Sequence, residues 1–529
     1  MSGRAPPPIP DDDRSDPDPM SSVQPPASAA PPQLAAERPV TVNRASAARS
    51  ALWSVLENGG LAVISFVSLI IYSRFLSVSD FGLFSIALAV IELLSVLVSM
   101  LFHDALVQRK DVSELHYDTA FTATLALSGL LLGGCWLLAP LFASRTGNAD
   151  AAPVLMWTAL SLPLTAISAT IVARQRRQLQ FRALALRSLI GRSLGAVIGI
   201  VLVVAFHAAF WGLVAQQVLV VFFGSLVLWV LCRERPRIRF GWQEFRELMR
   251  FGSFSVGALF LGFSIKRSFV VLSGIALGTH AAGLLNLSFR AVDTFWTLSA
   301  TAIQQIALPI LAKLRSDDER FVRAFRSATA FNCLTLYFLF VMLSAVSLEL
   351  VELLFGAQWL AIRPYVTVLA LLGMVQASRM LASPLLTAVG RPRDLLISQG
   401  TELALVLAAI FATGVPTVGT AIAIWIAREL IGGVILAWLL RRATGLGFRE
   451  HLISAWMPML CGAAMWAAVW ALRPLLPPDW IAAARLAVLA PAGALVYLAC
   501  AFVLNRALVL ELLHFVRAAL HGRKTGGPA

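Results

Sequence analysis

Charge is what this chain has least of. Only 14% of its 529 residues are charged, against about 25% in an ordinary soluble protein, and 58% are hydrophobic. A soluble globular body is excluded, and an integral membrane protein is indicated. The phosphate-binding pattern GxxxxGK[ST] does not occur, and no polar stretch is long enough to house a nucleotide-driven engine. Work on a solute must then draw on an ion gradient, the membrane potential or the solute's own gradient. The five cysteines, at 135, 232, 333, 461 and 500, stand singly without CxxC or Cys/His spacing, so neither a disulfide framework nor a zinc site is indicated. No metal and no cofactor are expected. Lysine is scarce, four of the 43 basic residues; guanidinium groups suit bidentate phosphate contacts, although GC-rich coding gives the same bias and takes precedence as an explanation. The formal charge of +14 does not point to nucleic acid, because it is spread between apolar runs and not gathered on a soluble face.

Residues 1–45, rich in Pro, Ser, Ala and Asp, contain no apolar run and read as a disordered tail with no cleaved signal peptide. Beyond them lie fourteen apolar spans of roughly 17–25 residues. They centre near Ile64, Val90, Leu130, Leu162, Val197, Phe222, Ile265, Leu298, Leu339, Leu372, Leu407, Ile426, Ala464 and Leu495. Arg and Lys favour the loops that follow even-numbered spans by about five to one, which puts both termini in the cytoplasm. Most loop arginines are topology signal, and Arg74, at a span end, is expected to snorkel to the interface. Trp211, Trp359 and Trp480 fall near span ends, as an aromatic belt requires.

Charges inside the spans carry the functional signal, because one at mid-bilayer costs at least about 2.5–3.5 kcal/mol and usually faces a bundle interior or a wet cavity. Lys266 and Arg267 lie in the seventh span, with Arg290 and Asp293 in the eighth, across a short turn at Gly278-Thr279-His280. Adjacent helical residues diverge by about 100°, so one of Lys266 and Arg267 at most is expected to face a cavity. Arg290 and Asp293, three apart, are expected to pair on one face. Glu92 in the second span and Glu402 in the eleventh read as lone carboxylates able to carry a coupling proton, or else hydrogen-bonded to a neighbouring helix. Arg428 and Glu429 in the twelfth read as gate or packing charges. Pro163 is expected to bend the fourth span.

Leu76-Ser77-Val78-Ser79-Asp80-Phe81-Gly82-Leu83, between the first two spans, is echoed by Leu277-Gly278-Thr279-His280-Ala281-Ala282-Gly283-Leu284, between the seventh and eighth. An even number of spans separates the copies, so two lobes of like orientation are expected, with a site between them near the midplane. The expected divisions are a tail over 1–45, lobes over 46–235 and 236–442, two further spans over 443–510 and a tail over 511–529.

Around that repeat the sequence resembles a known family. The residues concerned are Arg74 to Leu83, Ala105 to Asp111 with Asp118 to Phe121, and Pro309 to Leu314 with Asp317 to Arg320. Leu354-Phe355-Gly356-Ala357-Gln358-Trp359 and Gly390-Arg391-Pro392 complete the set. In order and spacing these are similar to the lipid-linked oligosaccharide flippases of the multidrug/oligosaccharidyl-lipid/polysaccharide exporter superfamily, over about residues 50 to 450. The resemblance implies an all-α fold of fourteen membrane helices, two six-helix lobes around a central cavity plus two C-terminal helices. It also implies alternating-access transfer of an undecaprenyl-diphosphate-linked glycan across the bacterial inner membrane, for exopolysaccharide, capsule or O-antigen assembly. The implied partners are that glycan lipid, membrane lipids, a polymerase and export complex, and a coupling H⁺ or Na⁺; nucleic acid is not among them. On this reading Arg267, Lys266 and Arg290 bind the diphosphate, with Arg267 preferred because the family often carries a basic residue there. Asp293, Glu92, Glu402, Arg428 and Glu429 gate or couple. Two other classes stay open: a drug or cation antiporter of the same superfamily, which should prefer an acidic site, and a membrane polymerase, against which the short loops and absence of paired catalytic carboxylates count.

Overall fold

Inside hydrocarbon every backbone N–H and C=O needs a partner within its own segment, so long apolar runs become helices. The computed structural model describes residues 44–504 and Arg506, apart from Lys110, Glu234, residues 314–317, Gly390 and Gly447. The expected tails, but for residues 44 and 45, lie outside the described residues. The helices of the first half are α1 (Arg44–Phe75), α2 (Val78–Met100), α3 (His103–Gln108), α4 (Glu114–Thr146), α5 (Ala151–Ala159), α6 (Ser161–Arg177), α7 (Phe181–Val204) and α8 (Trp211–Leu231). There follow α9 (Trp242–Lys313), α10 (Asp318–Ala345), α11 (Ser347–Phe355), α12 (Arg363–Arg379) and α13 (Ala382–Ala388). The last are α14 (Pro392–Thr413), α15 (Val418–Thr444), α16 (Phe448–Leu472) and α17 (Ala482–Leu504).

Among the described residues thirteen segments are long and apolar enough to cross a membrane, and the chain is a multi-pass membrane protein. The expected seventh span and the first part of the eighth, centred near Leu298, share one segment, Phe260–Thr297, made of two helices that meet at the Gly278 kink. Two of the fourteen expected spans thus stand behind one of the thirteen segments. Gly278 has φ 82° and ψ 174°, a backbone region closed to residues with a Cβ. The fourth span breaks at Leu160, between α5 and α6. Pro163 stands in the first turn of α6, where its missing N–H leaves no hydrogen bond unmade.

The two copies of the repeat meet. A Cβ on Gly82 would stand 1.8 Å from the carbonyl oxygen of Thr279, and one on Gly283 would stand 2.1 Å from that of Val78. Positions 78 and 82 correspond to 279 and 283 in the repeat, so the contact is reciprocal, as across a two-fold axis. Ser77 secures the start of α2 by accepting from the Asp80 amide at 3.1 Å and donating to its carboxylate at 2.7 Å.

The same end is fastened across the molecule. Trp359 is fully buried, its Nε1 donating to the Ser73 carbonyl at 2.8 Å and its ring edge-on to Phe81 at 5.7 Å. It is core and not belt, a correction to the span-end expectation. Arg74, exposed at the span end, has fixed partners there: its guanidinium donates to the carbonyls of Leu353 and, at 3.2 Å, Leu354, where the last turn of α11 has unused acceptors and a negative dipole end. At the opposite end Arg109, just past α3, bonds Glu247 in the first turns of α9, with His116 3.3 Å from the same carboxylate oxygen.

Candidate functional site

Lys266 and Arg290 stand twelve residues either side of Gly278, each ~18 Å along its arm of α9. That length is a little over half of a ~30 Å hydrocarbon core. Between these arms and α1, α2, α7 and α8 lies a cavity of about 560 Å³. Its walls bring together Lys266, Arg267, Arg290, Asp293 and Glu92 from the sequence reading. Arg192 of α7, absent from that reading, completes the charged set.

The pairing inside differs from expectation. Asp293 bonds Lys266 across the two arms and not Arg290 on its own helix, because the arms run side by side below Gly278. Arg290 turns instead to Asn286, its Nε donating to Oδ1 at 2.9 Å. Lys266 and Arg267 both line the cavity, where one at most was expected. Their long side chains leave the first arm in different directions: Lys266 goes to Asp293 on the second arm, while Arg267 Nε lies 2.6 Å from Glu92 Oε2 on α2. Glu92 is thus not a lone carboxylate.

Four cations, Arg192, Lys266, Arg267 and Arg290, face two carboxylates, Glu92 and Asp293, a net +2. Among the described residues neither Arg192 nor Arg290 makes an ion pair. Tyr72 Oη, Gln216 Oε1 and Arg192 Nε line the same space and are buried without a hydrogen-bond partner, a state that costs about 1–3 kcal/mol per group. Guanidinium groups without a carboxylate, beside the Tyr72 hydroxyl, are suited to a multivalent anion, whose oxygens accept several charge-assisted bonds at once; Gln216 Oε1, an acceptor, takes no part in that.

Glu402, Arg428 and Glu429 do not join this cavity. Arg428 Nη1 donates to Glu402 Oε2 at 2.9 Å and its other nitrogen bonds Glu429, while Arg379 of α12 bonds Glu429 from the far side. Glu402 is therefore paired as well, and the network of two arginines and two glutamates carries no net charge. An aromatic wall separates it from the first cavity. Lys266 lies over Phe289 at 4.6 Å, Arg428 lies over Trp425 at 4.1 Å, and those two rings are 5.0 Å apart. Arg192, midway along α7, escaped the sequence reading because it follows Arg182 and Arg187 as one more of a basic series; Arg379, the last residue of α12, stands alone between Arg363 and Arg391 and gives no pattern to read.

Two solved structures share the fold. The lipid II flippase MurJ in an inward closed conformation superposes with a TM-score of 0.68 at 13% identity, over 87% of this chain and 100% of that one. A multidrug resistance MATE family transporter of the MOP superfamily, inward-facing, gives 0.55 at 14%, over 80% and 99%. Sequence relatives include the succinoglycan biosynthesis transport protein ExoT of Rhizobium meliloti (strain 1021), 27% identical over 443 residues, 80% of this chain and 86% of that protein. The teichuronic acid biosynthesis protein TuaB of Bacillus subtilis (strain 168) is 23% identical over 456 residues, 85% of this chain and 93% of its own length. The lipopolysaccharide biosynthesis protein WzxC of Escherichia coli (strain K12) is 22% identical over 417 residues, 77% and 84%. Residues 71–364, more than half of the chain, match the family described as polysaccharide biosynthesis protein, and to that family this protein belongs.

Proposed function

We propose that this chain carries an anionic lipid-linked glycan across the bacterial inner membrane by alternating access, as an intermediate in polysaccharide assembly. The observation that carries the reading is the net +2 chamber at mid-membrane depth with two unpaired guanidinium groups, Arg290 and Arg192. A diphosphate linker brings concentrated negative charge that hydrocarbon refuses. Arg290 and Arg192 bind its oxygens, while Lys266 and Arg267, held by Asp293 and Glu92, keep the field positive. The polyprenyl tail, here undecaprenyl, stays in lipid. The chain performs no bond-making step; its partners are the glycan lipid, a polymerase with its export complex, and H⁺ or Na⁺ as coupling ion.

The lobes proposed are residues 46–235 and 236–442, with two added spans over 443–510. Both termini are cytoplasmic. The reciprocal glycine contact and the Arg74 clasp close the periplasmic side in the state described, and exchange of lobe positions opens it. The sign of the chamber separates this reading from a cation antiporter, which needs a net-negative site.

The test places a fluorescent undecaprenyl-diphosphate hexose in proteoliposomes and reads its movement between leaflets by quencher protection. Arg290→Ala is expected to abolish movement while the protein stays inserted and monodisperse. Wild-type movement in that variant removes the diphosphate assignment, and movement of organic cations in its place favours the antiporter.

A further inference from the structure

The cavity of the charged cluster is not charged throughout. Its cations and carboxylates come from the α9 arms and from the middles of α2 and α7, whereas α1 and α8 contribute Ser65, Ser68, Tyr72, Gln216 and Gln217, hydrogen-bonding groups without charge. Two of these meet at one place. A Cβ on Gly199 of α7 would collide with Tyr72 Oη and stand 2.8 Å from Gln216 Cβ, so the missing side chain makes room for both. Gly199 is seven residues beyond Arg192, two turns and ~10 Å along the same face of α7. Tyr72 stands in the last turn of α1, next to the Arg74 clasp, and Gln216 in the second turn of α8. The neutral corner is therefore on the closed side of the charged set.

An anion leaves this corner unsatisfied. Gln216 Oε1 is a buried acceptor without a donor, and an ionised phosphate oxygen, itself an acceptor, cannot supply one. A ligand hydroxyl can, and it lifts the cost of leaving a buried acceptor bare. The Tyr72 hydroxyl, donor and acceptor in one group, serves an oxygen of either kind. Cations at one end and neutral hydrogen-bonding groups at the other, within a single cavity, fit a ligand whose anionic part is bonded to an uncharged, hydroxyl-rich one. The volume of about 560 Å³ is that of a small-molecule site, about 300–1,000 Å³, so the sugar nearest the diphosphate is the part of a glycan that it can hold.

We propose that Gln216, with Tyr72 and Gln217, reads the sugar bonded directly to the diphosphate. This rests on the lipid-linked substrate proposed above and gives that substrate an orientation. The linker lies at Arg290 and Arg192, the first sugar points toward the Tyr72 and Gln216 end, and the tail trails into lipid. Both parts of the headgroup share one space, and selectivity among glycans is set at its neutral end.

The test uses the full-length protein in lipid nanodiscs and compares binding of undecaprenyl diphosphate with that of the same carrier bearing one glucose, galactose or N-acetylglucosamine. In the wild type at least one sugar is expected to tighten binding over the bare carrier. Gln216→Leu is expected to lose about three- to tenfold of that gain, the worth of one neutral hydrogen bond, while binding the bare carrier as the parent does. Gln216→Glu, which keeps an acceptor in place, should retain the gain and weaken bare and sugar-bearing carriers alike through its charge. No gain from any sugar, a gain that survives Gln216→Leu, or an equal loss of both probes in that variant overturns the subsite. A gain lost in Gln216→Glu as fully as in Gln216→Leu overturns the acceptor role. Arg290→Ala should weaken both carriers equally; unchanged bare-carrier binding there strikes the linker assignment instead and leaves the sugar-dependent comparison readable on its own.

Discussion

The two charged clusters flanking the α9 hairpin contain the same kinds of residue and put them to opposite uses. In the cluster of Arg379, Glu402, Arg428 and Glu429 every charged side chain meets an opposite one, and Glu429 is completely buried between two arginines. In the first cavity two arginines go without a carboxylate. Ion pairing in lipid holds helices together. Cations left without a carboxylate gain less for folding than paired ones, and on the reading proposed above their retention is explained by the anion they bind. An intramembrane arginine is thus a functional clue only when its bonds have been counted.

That contrast can be broken most forcefully at Glu429. Glu429→Leu leaves Arg379 and Arg428 with Glu402 as their one shared carboxylate, a net buried charge, and breaking a buried pair from one side costs about 3–5 kcal/mol; a large fall in thermal midpoint by fluorescence-detected size exclusion is expected. A stable, monodisperse variant would mean that the network is not structural. Arg290→Ala and Arg192→Ala should do the reverse, leaving the midpoint in place while weakening undecaprenyl diphosphate binding by about ten- to a hundredfold each, the worth of a charge-assisted bond. Gly82→Ala has an intermediate effect. Its Cβ collides with a main-chain carbonyl, overpacking of this kind costs about 1–3 kcal/mol, and the seam should part. Greater labelling of a cysteine placed at Val78, buried in the seam, would register this, and labelling equal to the parent would count against the seam as a closure.

The smallest effect is expected outside the membrane span, at Glu247. Hydrogen bonds from Arg109, Gln243 and His116 hold its carboxyl down at about 2, against an ordinary value of 4.5. A depressed carboxyl stabilises the folded form above its unfolded pKa and loses that contribution as pH falls through the folded one, here between 4.5 and about 2. Hydrogen exchange in residues 103–116 should quicken over that window, and Glu247→Gln should remove the dependence. A solvated pair of this sort gives the baseline for the two membrane clusters.

Much of the fold was legible because hydrocarbon allows few solutions. Twelve of the expected spans match one segment each, and the other two share one. The repeat was legible as a repeat, but the reciprocal packing of Gly82 and Gly283 was not, since a close approach leaves only an absent side chain in the sequence. Depth alone pointed to Lys266, Arg267, Arg290, Asp293 and Glu92, but equally to Glu402, Arg428 and Glu429, and so did not divide them into two clusters. Nor was the pairing legible: i,i+3 spacing favoured Arg290 with Asp293, whereas the hairpin set Lys266 against Asp293. Arg192 stayed hidden because a basic residue following Arg182 and Arg187 looks like more of the same topology signal, and Arg379 because a lone arginine ending a span gives no pattern. Trp359 misled for a related reason, since an indole near a span end reads as interfacial until its N–H is seen bonded to Ser73.

The meeting of α2 with α9 has a consequence for how the molecule changes state. Where Gly82 faces Thr279 and Gly283 faces Val78, peptide planes touch with no rotatable side chain between them. Such a junction has no soft intermediate: it cannot leak by a rotamer flip or admit water gradually, and it parts only when two whole hairpins separate. On the transport reading proposed above, exchange between the two faces of the membrane is then switch-like, and leakage along this path is closed off by the absence of two methyl groups.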